Sequence, residues 1–394
     1  MKERMRHILL YAAIVMNVLF AACRHDEYII YSEDQDTGQT AVSSEITGMY
    51  LLNEGNMGSN KCTLDFLDLS GNTPTVHYTR NIYSERNPSE VKELGDVGND
   101  IAIHGDQLWM VINASNKVEV ATVSQCRKIA KIDIPNCRYV TFYGDDAYVT
   151  SYVGPVMVSS DAPLGRVYKV STHTFEKKDS MTVGYQPEQL CTVGKKMYVA
   201  NSGGYRVPLY DTTVSEIDLT TFQEVRKIEV GPNLHRCLAD TYGQVWVSSR
   251  GDYYSTPSRL YWLEQDGSGQ MQKGGYIDMP VSDMCITGDS LYFYSAEWNY
   301  ITMSNQVSYG IVNVRTHQVV TTRLTNAPEL GDIEMPYGII VNPIDRDFYI
   351  MDAKNYVSSG ELFHFLADGT FDWRVWTGDI PAHAAFVFKE KDTE

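Results

Sequence analysis

The stretch MYVANSGGYRVPLYDTTVSEIDLTTFQEVRKIEVGPNLHRCLADTYGQ, residues 197–244, decides the fold. It contains four short runs rich in β-branched, aromatic and other apolar residues: MYVAN, TVSEIDL, EVRKIEV and HRCLA. Turn residues bound these runs, and strands of this length predict a small antiparallel sheet. One such sheet cannot bury both of its faces alone, so the same pattern is expected to recur along the chain.

The recurrence is marked by one aromatic residue in the second strand of each unit. These residues are Tyr50, Trp109, Tyr148, Tyr198, Trp246, Tyr292 and Tyr349. Their spacing, 39 to 59 residues, is typical of four-stranded propeller blades. We expect these side chains to pack between blades. The sequence therefore predicts an all-β fold, a seven-bladed β-propeller of four-stranded antiparallel blades.

The first repeat lacks one strand, and the end of the chain contains one strand too many. A short apolar run precedes each unit except the first, and the run PAHAAFVFKE, residues 381–390, is left over after the last. A propeller closes when its last strand completes the first blade, because closure hides edges that would otherwise pair with other chains. We therefore expect the C-terminal strand to complete blade one.

The first 22 residues have the basic start and short apolar core of an export signal. The sequence Leu-Phe-Ala-Ala before Cys23 resembles a bacterial lipobox, which implies cleavage after residue 22 and lipidation of Cys23. The acidic residues that follow resemble the export tag of Bacteroidetes surface lipoproteins, which implies an outer-membrane, cell-surface location. An ordinary secretory signal is the alternative. We expect a flexible acidic tether at 23–46 and the propeller at 47–391.

Charge and cysteine content narrow the possible partners. The net charge is −17, and removal of residues 1–22, which carry +2, would leave −19. Such acidity argues against nucleic acid and against docking to anionic lipid by charge. Cys191, Cys237 and Cys285 recur in the inner-strand position of successive blades, which favours buried free thiols. An even cysteine count in an exported chain leaves disulfides open, and no cysteine spacing indicates a zinc site.

One face of the predicted ring carries nearly all the long connections, between the second and third strands of each blade, and we call it the long-loop face. Its aromatic side chains and its amide and charged groups suit a large, flat ligand decorated with amides or hydroxyls. Any single aromatic residue there could instead pack its own loop. The predicted ligand-binding residues are Asn53, Asn56, Asp100, Asn113, Arg138, Tyr152, Glu188, Asn201, Tyr205, Arg206, His235, Arg250, Tyr253, Trp298, Asn299, Tyr337, Asp352 and Tyr356.

Catalysis finds little support in the sequence. Nucleophile-elbow, zincin, P-loop and dinucleotide-binding motifs are absent, so we expect no catalytic residues, metal site or catalytic cofactor. A metal-assisted lyase or lactonase is an alternative, because Glu54, Asp100 and Glu188 supply carboxylates near the predicted axis.

Several phrases resemble known families. YVAN, YVTS and IEVGPN resemble YncE/YVTN-type seven-bladed propellers. LLNEGNMGSNKCTLDFLDL, ELGDVGNDIAI, IPNCRYVTF, SYVGPV and VGYQPE, behind a lipobox, resemble BtuG-type surface lipoproteins of gut Bacteroidetes. That resemblance implies a non-catalytic, monomeric propeller that captures vitamin B12 (cobalamin) and other corrinoids and passes them to a TonB-dependent outer-membrane transporter. A surface glycan-binding or protein-docking propeller is the alternative.

Overall fold

The computed structural model describes residues 32–38, 45–71, 75–90, 94–299 and 303–389. Cys23, the predicted signal at 1–22 and most of the predicted tether lie outside these residues. The described strands are β1 Glu33–Thr37, β2 Ile46–Asn53, β3 Thr63–Asp68, β4 Val76–Arg80, β5 Gly98–His104, β6 Gln107–Ile112, β7 Lys117–Thr122, β8 Lys128–Asp133, β9 Cys137–Tyr143, β10 Asp146–Ser151, β11 Leu164–Ser171, β12 Lys177–Tyr185, β13 Pro187–Val193, β14 Lys196–Asn201, β15 Thr213–Asp218, β16 Gln223–Glu229, β17 Leu234–Ala239, β18 Val245–Ser249, β19 Arg259–Gln265, β20 Met271–Ile277, β21 Asp283–Thr287, β22 Ser290–Asn299, β23 Ser304–Asn313, β24 Gln318–Thr321, β25 Pro336–Val341, β26 Phe348–Asp352, β27 Ser359–Phe365, β28 Phe371–Asp379 and β29 Pro381–Phe388.

Helical structure is minor in the described part of the chain. Helix α1 spans Ile82–Arg86, and a 3-10 helix spans Pro328–Asp332. Within the described ranges, no helix has both the length and the apolar composition needed to cross a membrane.

The strands form seven antiparallel sheets, which confirms the predicted fold class. Six sheets each contain four consecutive strands, from β5–β8 to β25–β28. The remaining sheet has the order β1-β4-β3-β2-β29 and is the first blade. Four of these strands form the blade proper, and β1 adds a fifth strand at its outer edge.

The first blade is closed by the C-terminal strand, as the sequence predicts. Strand β29 pairs with β2 in a register that places Met49 opposite Phe386 and Tyr50 opposite Ala385. The Lys389 amide then donates to the Glu45 carbonyl at 2.7 Å. Closure gives β2 a partner along its inner edge, where an unpaired strand would otherwise expose its backbone donors and acceptors.

Strand β1 corrects the prediction of a tether over residues 23–46. It pairs with β4, placing Gln35 opposite Tyr78. The Gln35 amide also donates to the Trp376 carbonyl at 2.9 Å and accepts from the Trp376 amide at 3.1 Å, which links β1 to β28 of the seventh blade. Its sequence, EDQDT, has no apolar alternation, so the sequence pattern did not indicate a strand.

The recurring aromatic residues pack between successive blades. Tyr50 shares a core cluster with Ile101 and Leu108 of the second blade. At the closing seam, Tyr349 of the seventh blade packs with Met49 and Leu51 of the first. The equivalent residues of the other blades make the same kind of contact, and all are buried except Tyr292, which is partly buried. The prediction that this column packs between blades is confirmed.

Short hairpins lie on the face opposite the long loops. Gly105, Gly144, Gly194 and Gly288 each begin a two-residue turn between the first and second strands of a blade, with φ between 55° and 59°. A positive φ at the first turn residue is the geometry of a type II′ turn, which glycine adopts without a steric penalty. These turns let the inner hairpins close tightly.

The described cysteines outside the leader are free thiols, and five of the six are buried. Cys191 and Cys237 come from the fourth and fifth blades, and their Sγ atoms lie 3.6 Å apart. Both belong to the core cluster between those blades, where they act as small packing residues.

A chain that ends at Ile380 should lose cooperative thermal unfolding, because β2 would lack its inner partner and the seventh blade would lose its contact with Phe386. Circular dichroism in the near-ultraviolet measures this loss. A chain that ends at Lys389 is the control, since it keeps β29 and the bond to Glu45. Equal melting temperatures for the two truncated chains would contradict the closure argument.

Candidate functional site

A cavity of about 810 Å³ opens on the long-loop face of the ring. Residues from all seven blades line it, at the starts of the innermost strands and in the long loops. We call it the axial cavity. The predicted binding residues that line it are Asn113, Arg138, Tyr152, Glu188, Tyr205, His235, Arg250, Tyr253, Trp298, Tyr337 and Tyr356.

Three predicted residues at the ends of second strands do not line the cavity. Asn53, Asn201 and Asp352 are buried within their blades. The Asp352 carboxylate accepts backbone bonds from Met335 at 2.8 Å and Lys354 at 2.9 Å, and Asn201 donates to Thr213 Oγ1 at 3.1 Å. These short polar side chains bond to polar groups of their own blades where the strands end.

Three further predicted residues, which the structure describes, also lie apart from it. Asn56 is part of the loop after β2, where its carbonyl accepts from the Ser59 amide at 2.9 Å. The Arg206 guanidinium stacks on the Tyr185 ring, 3.6 Å from its centroid. Asp100 accepts a bond from the Val140 amide at 2.8 Å and joins adjacent blades. Asn299 ends β22, and its side chain lies outside the described structure.

The rim of the cavity carries exposed aromatic side chains. Tyr253 is 58% exposed and Trp298 is 48% exposed, and they come from different blades. The sequence around Trp298 was expected to be an irregular loop. It forms instead a two-stranded arm, with Trp298 opposite Asn305 in the pairing of β22 with β23. A strand pair orients Trp298 more rigidly than a loop would.

Tyr152 differs from the other rim aromatics because it is buried. Its hydroxyl donates to Glu188 Oε1, and the Arg138 guanidinium lies 4.9 Å from the centre of its ring. Arg138 also donates to Glu188 Oε2 from Nε at 3.1 Å and from Nη2 at 3.0 Å. Tyr152 therefore helps to satisfy a buried carboxylate in the floor of the cavity.

A second buried ion pair lies beside the first. Arg236 Nε is 2.8 Å from Asp283 Oδ1, and Arg236 Nη1 donates to the Tyr139 hydroxyl at 2.8 Å. Burial and the neighbouring guanidinium groups hold the pKa values of His235 and His383 well below the ordinary range. Both imidazoles are therefore neutral at pH 7. The floor thus combines guanidinium groups, carboxylates and neutral imidazoles.

The lining residues outside the predicted set include Glu54, Tyr139 and Tyr294. Glu54 and Tyr337 share a side-chain hydrogen bond, and burial raises the pKa of Glu54. Tyr139 follows Arg138 at the start of β9, and Tyr294 lies two residues beyond the packing residue Tyr292. The strand register offered a signal for Tyr294, because residues two apart share a face of a strand.

No group of three or more His, Cys, Asp or Glu side chains within the described ranges is arranged to hold a metal ion. Each of the three carboxylates that suggested a metal-assisted lyase or lactonase already has a hydrogen-bond or ion-pair partner within the protein. Glu54 bonds with Tyr337, Glu188 pairs with Arg138, and Asp100 accepts from a backbone amide.

Residues 47–367 match a family model described as "Domain of unknown function (DUF5074)". A search of curated proteins returned no significant match. Among solved structures, the chain resembles a protein of Bacteroides uniformis described as a candidate 6-phosphogluconolactonase, with 11% identity, a TM-score of 0.58, and coverage of 88% of this chain and 100% of that one.

Two other solved structures show the same fold. A hypothetical selenium-binding protein of Sulfolobus tokodaii has 10% identity and a TM-score of 0.59, covering 87% of this chain and 94% of that one. A quinoprotein alcohol dehydrogenase-like protein of Bacteroides thetaiotaomicron has 10% identity and a TM-score of 0.57, covering 86% and 78%. Their different descriptions indicate that this fold serves several activities.

Burial raises the pKa of Asp100 to about 7, against opposing contributions from the Val140 amide and Arg236. A raised pKa favours the protonated carboxyl in the folded state, so the associated stability is complete below pH 4 and is lost as the pH rises through 7. Asp100→Asn keeps an acceptor for Val140 and removes this loss. The free energy of unfolding of Asp100→Asn minus that of the native chain should increase by up to ~4 kcal/mol between pH 4 and 7.

Urea denaturation at a series of pH values measures this difference. Above pH 8 the difference in free energy of unfolding should become constant, because the Asp100 carboxyl of the native chain is then ionised in both the folded and the unfolded state. Parallel stability curves for the two chains across the whole range would contradict the burial of Asp100 as a proton-binding group.

Proposed function

The chain belongs to the DUF5074 family, and we propose that it is a surface lipoprotein that captures corrinoids such as vitamin B12 in the axial cavity. In this proposal the propeller performs no catalysis, uses no catalytic cofactor and acts as a monomer. It hands the corrinoid to a TonB-dependent outer-membrane transporter. Its lipid anchor at Cys23 would hold it at the outer membrane, exposed on the cell surface.

The observation that carries the proposal is the combination of aromatic rim and polar floor. Half-exposed rings from different blades, including Tyr253 and Trp298, surround a cavity whose floor holds Arg138, Glu188 and His235. An isolated exposed ring is common on protein surfaces, but several rings around one concave site favour a ligand with a broad apolar face.

A corrinoid matches this arrangement in shape and in polarity. Its macrocycle is broad and nearly flat, which suits stacking or edge contact with Tyr and Trp rings. Its peripheral amides offer both donors and acceptors to the amide, guanidinium and carboxylate groups of the cavity. A volume of about 810 Å³ is at the upper end of the range for ligand pockets, and because the cavity is open on this face, a large ligand can enter in part and extend over the rim.

The N-terminal strand bears on how the propeller would meet a transporter. Nine residues separate Cys23 from the strand β1 at Glu33. Nine extended residues span at most ~30 Å. A lipid on Cys23 would therefore keep the outer edge of the first blade close to the membrane, where a transporter for the captured ligand would be found.

The rim aromatics also favour a second candidate, a surface glycan-binding propeller. Sugar rings have apolar faces that pack on Tyr and Trp, and their hydroxyls would use the same polar floor. Retention on polysaccharide with no response to corrinoids would select this candidate over the first.

The full-length chain, purified in detergent and mixed with cyanocobalamin, should co-elute with the red corrinoid in size-exclusion chromatography. Isothermal titration calorimetry gives the affinity. The double variant Tyr253→Ala with Trp298→Ala should weaken binding by about 2–4 kcal/mol, because tyrosine and tryptophan are enriched among the binding-site residues whose truncation costs most.

A matched double variant provides the control. Tyr276→Ala with Trp376→Ala also removes a half-exposed tyrosine and tryptophan, but neither lines the axial cavity. It should bind cyanocobalamin with the native affinity. Absence of binding by the native chain would end the corrinoid proposal, and equal losses in both double variants would move the site away from this cavity.

A further inference from the structure

A connected set of polar side chains crosses the floor of the axial cavity. Arg250 Nη1 lies 3.9 Å from Glu188 Oε1, and Arg250 Nη2 lies 2.9 Å from His235 Nε2. The same imidazole nitrogen is 3.3 Å from the Tyr139 hydroxyl. Arg250 therefore joins the Glu188 pair to the imidazole of the fifth blade, and it is the most exposed member of the set.

These contacts determine which nitrogen of His235 carries the proton. A guanidinium group can only donate, so Nε2 must accept from Arg250 and is unprotonated. The neutral imidazole then carries its hydrogen on Nδ1. His235 is only 7% exposed, and Nδ1 has no hydrogen-bond partner among the described residues. The floor thus presents a buried N–H donor that has no acceptor within the described part of the chain.

Asn233, two residues before His235, is also a buried polar side chain without a hydrogen-bond partner among the described residues. It is 1% exposed, and neither its amide nitrogen nor its amide oxygen has a partner within the described chain. Its backbone carbonyl accepts from the Arg250 amide at 3.0 Å, which places the two residues side by side. Leaving a buried polar group unpaired is unfavourable, so two such residues lining one cavity favour a polar ligand.

The cations of the floor are unequally neutralised. Arg138 makes two bonds to Glu188, and Arg236 is paired with Asp283 at 2.8 Å. Arg250 is left with a carboxylate no nearer than 3.9 Å, and that carboxylate already accepts from Arg138. The Arg250 charge is therefore the one in this set that lacks its own close counter-ion.

Two other acidic residues line the cavity without neutralising Arg250. Glu54 is hydrogen-bonded to Tyr337 on the side of the first and seventh blades. Glu297 is exposed at the rim and accepts a hydrogen bond from Ser258. Although the chain as a whole is strongly acidic, this part of the floor offers a cation without a close counter-ion of its own and donors that are unpaired among the described residues.

We propose that Arg250, the Nδ1–H of His235 and the amide of Asn233 form a subsite for a phosphate group. The inference depends on the proposed function for its ligand, the phosphodiester in the nucleotide loop of a complete corrinoid. The non-bridging oxygens of a phosphodiester carry one negative charge and accept several hydrogen bonds, as this set of donors requires. The neutral amides of the corrin periphery would leave the Arg250 charge unpaired.

Titration calorimetry with three ligands tests the subsite on the full-length chain. Cyanocobalamin contains the phosphodiester, dicyanocobinamide lacks both phosphate and nucleotide, and cobinamide phosphate keeps the phosphate alone. Arg250→Gln should weaken binding of the two phosphate-containing ligands on the order of 30-fold, and binding of dicyanocobinamide less than ~3-fold. Arg250→Lys, which keeps the charge without the planar fork, should retain part of the preference.

Arg259→Gln is the control, because Arg259 belongs to the same blade but pairs with Asp278 away from the cavity. It should bind all three ligands as the native chain does. An equal effect of Arg250→Gln on all three ligands, or no effect on any, would overturn the subsite while leaving corrinoid capture intact.

The phosphate subsite can also be tested on a chain that binds no corrinoid. Should the native chain bind no corrinoid, inorganic phosphate and dimethyl phosphate become the probes, with thermal unfolding as the measurement. A rise in melting temperature for the native chain and Arg259→Gln, absent in Arg250→Gln, would support a phosphate subsite for another ligand. No rise in the native chain would overturn it.

Discussion

Each blade of this propeller can bury its recurrent aromatic residue only against the blade that follows it. Trp109 and Trp246, for example, are fully buried in clusters shared with the next blade. Burial of a large apolar side chain contributes ~2–3 kcal/mol, against about 1 kcal/mol for a typical hydrogen bond. Packing between blades therefore dominates, and it is complete only when the ring is closed. Strand β29 supplies that closure, and β1 adds hydrogen bonds between the first and seventh blades at their outer edges.

Closure also creates the site. The innermost strands all start on the long-loop face, so the side chains at their starts converge around the axis. Arg138, Glu188 and His235 each lie near the start of an inner strand, in three successive blades. Buried charges are tolerated only when they are paired and hydrogen-bonded. The pairs formed by Arg138 and Arg236 meet this condition, whereas Arg250, His235 and Asn233 remain available to a ligand.

The repeat spacing and the aromatic column were sufficient to predict the fold, because both reflect packing that every blade must satisfy. The alignment of the repeats also indicated which residues start the inner strands, and several of these residues line the cavity. Asn53 and Asp352 are buried in their blades, where Asn53 donates to the Thr63 hydroxyl and Asp352 accepts from backbone amides, because a small polar residue at a strand end bonds to its own blade as readily as to a ligand. Strand β1 was missed because the polar sequence EDQDT is held by hydrogen bonds to neighbouring strands, which no apolar periodicity reveals.

A crystal structure of the chain with cyanocobalamin tests the central claim most directly. The account predicts corrin density over the axial cavity, with the ring against Trp298 and Tyr253 and the phosphodiester within hydrogen-bond distance of Arg250. An empty cavity at saturating cyanocobalamin, or corrin density on the face with the short glycine hairpins, would contradict it.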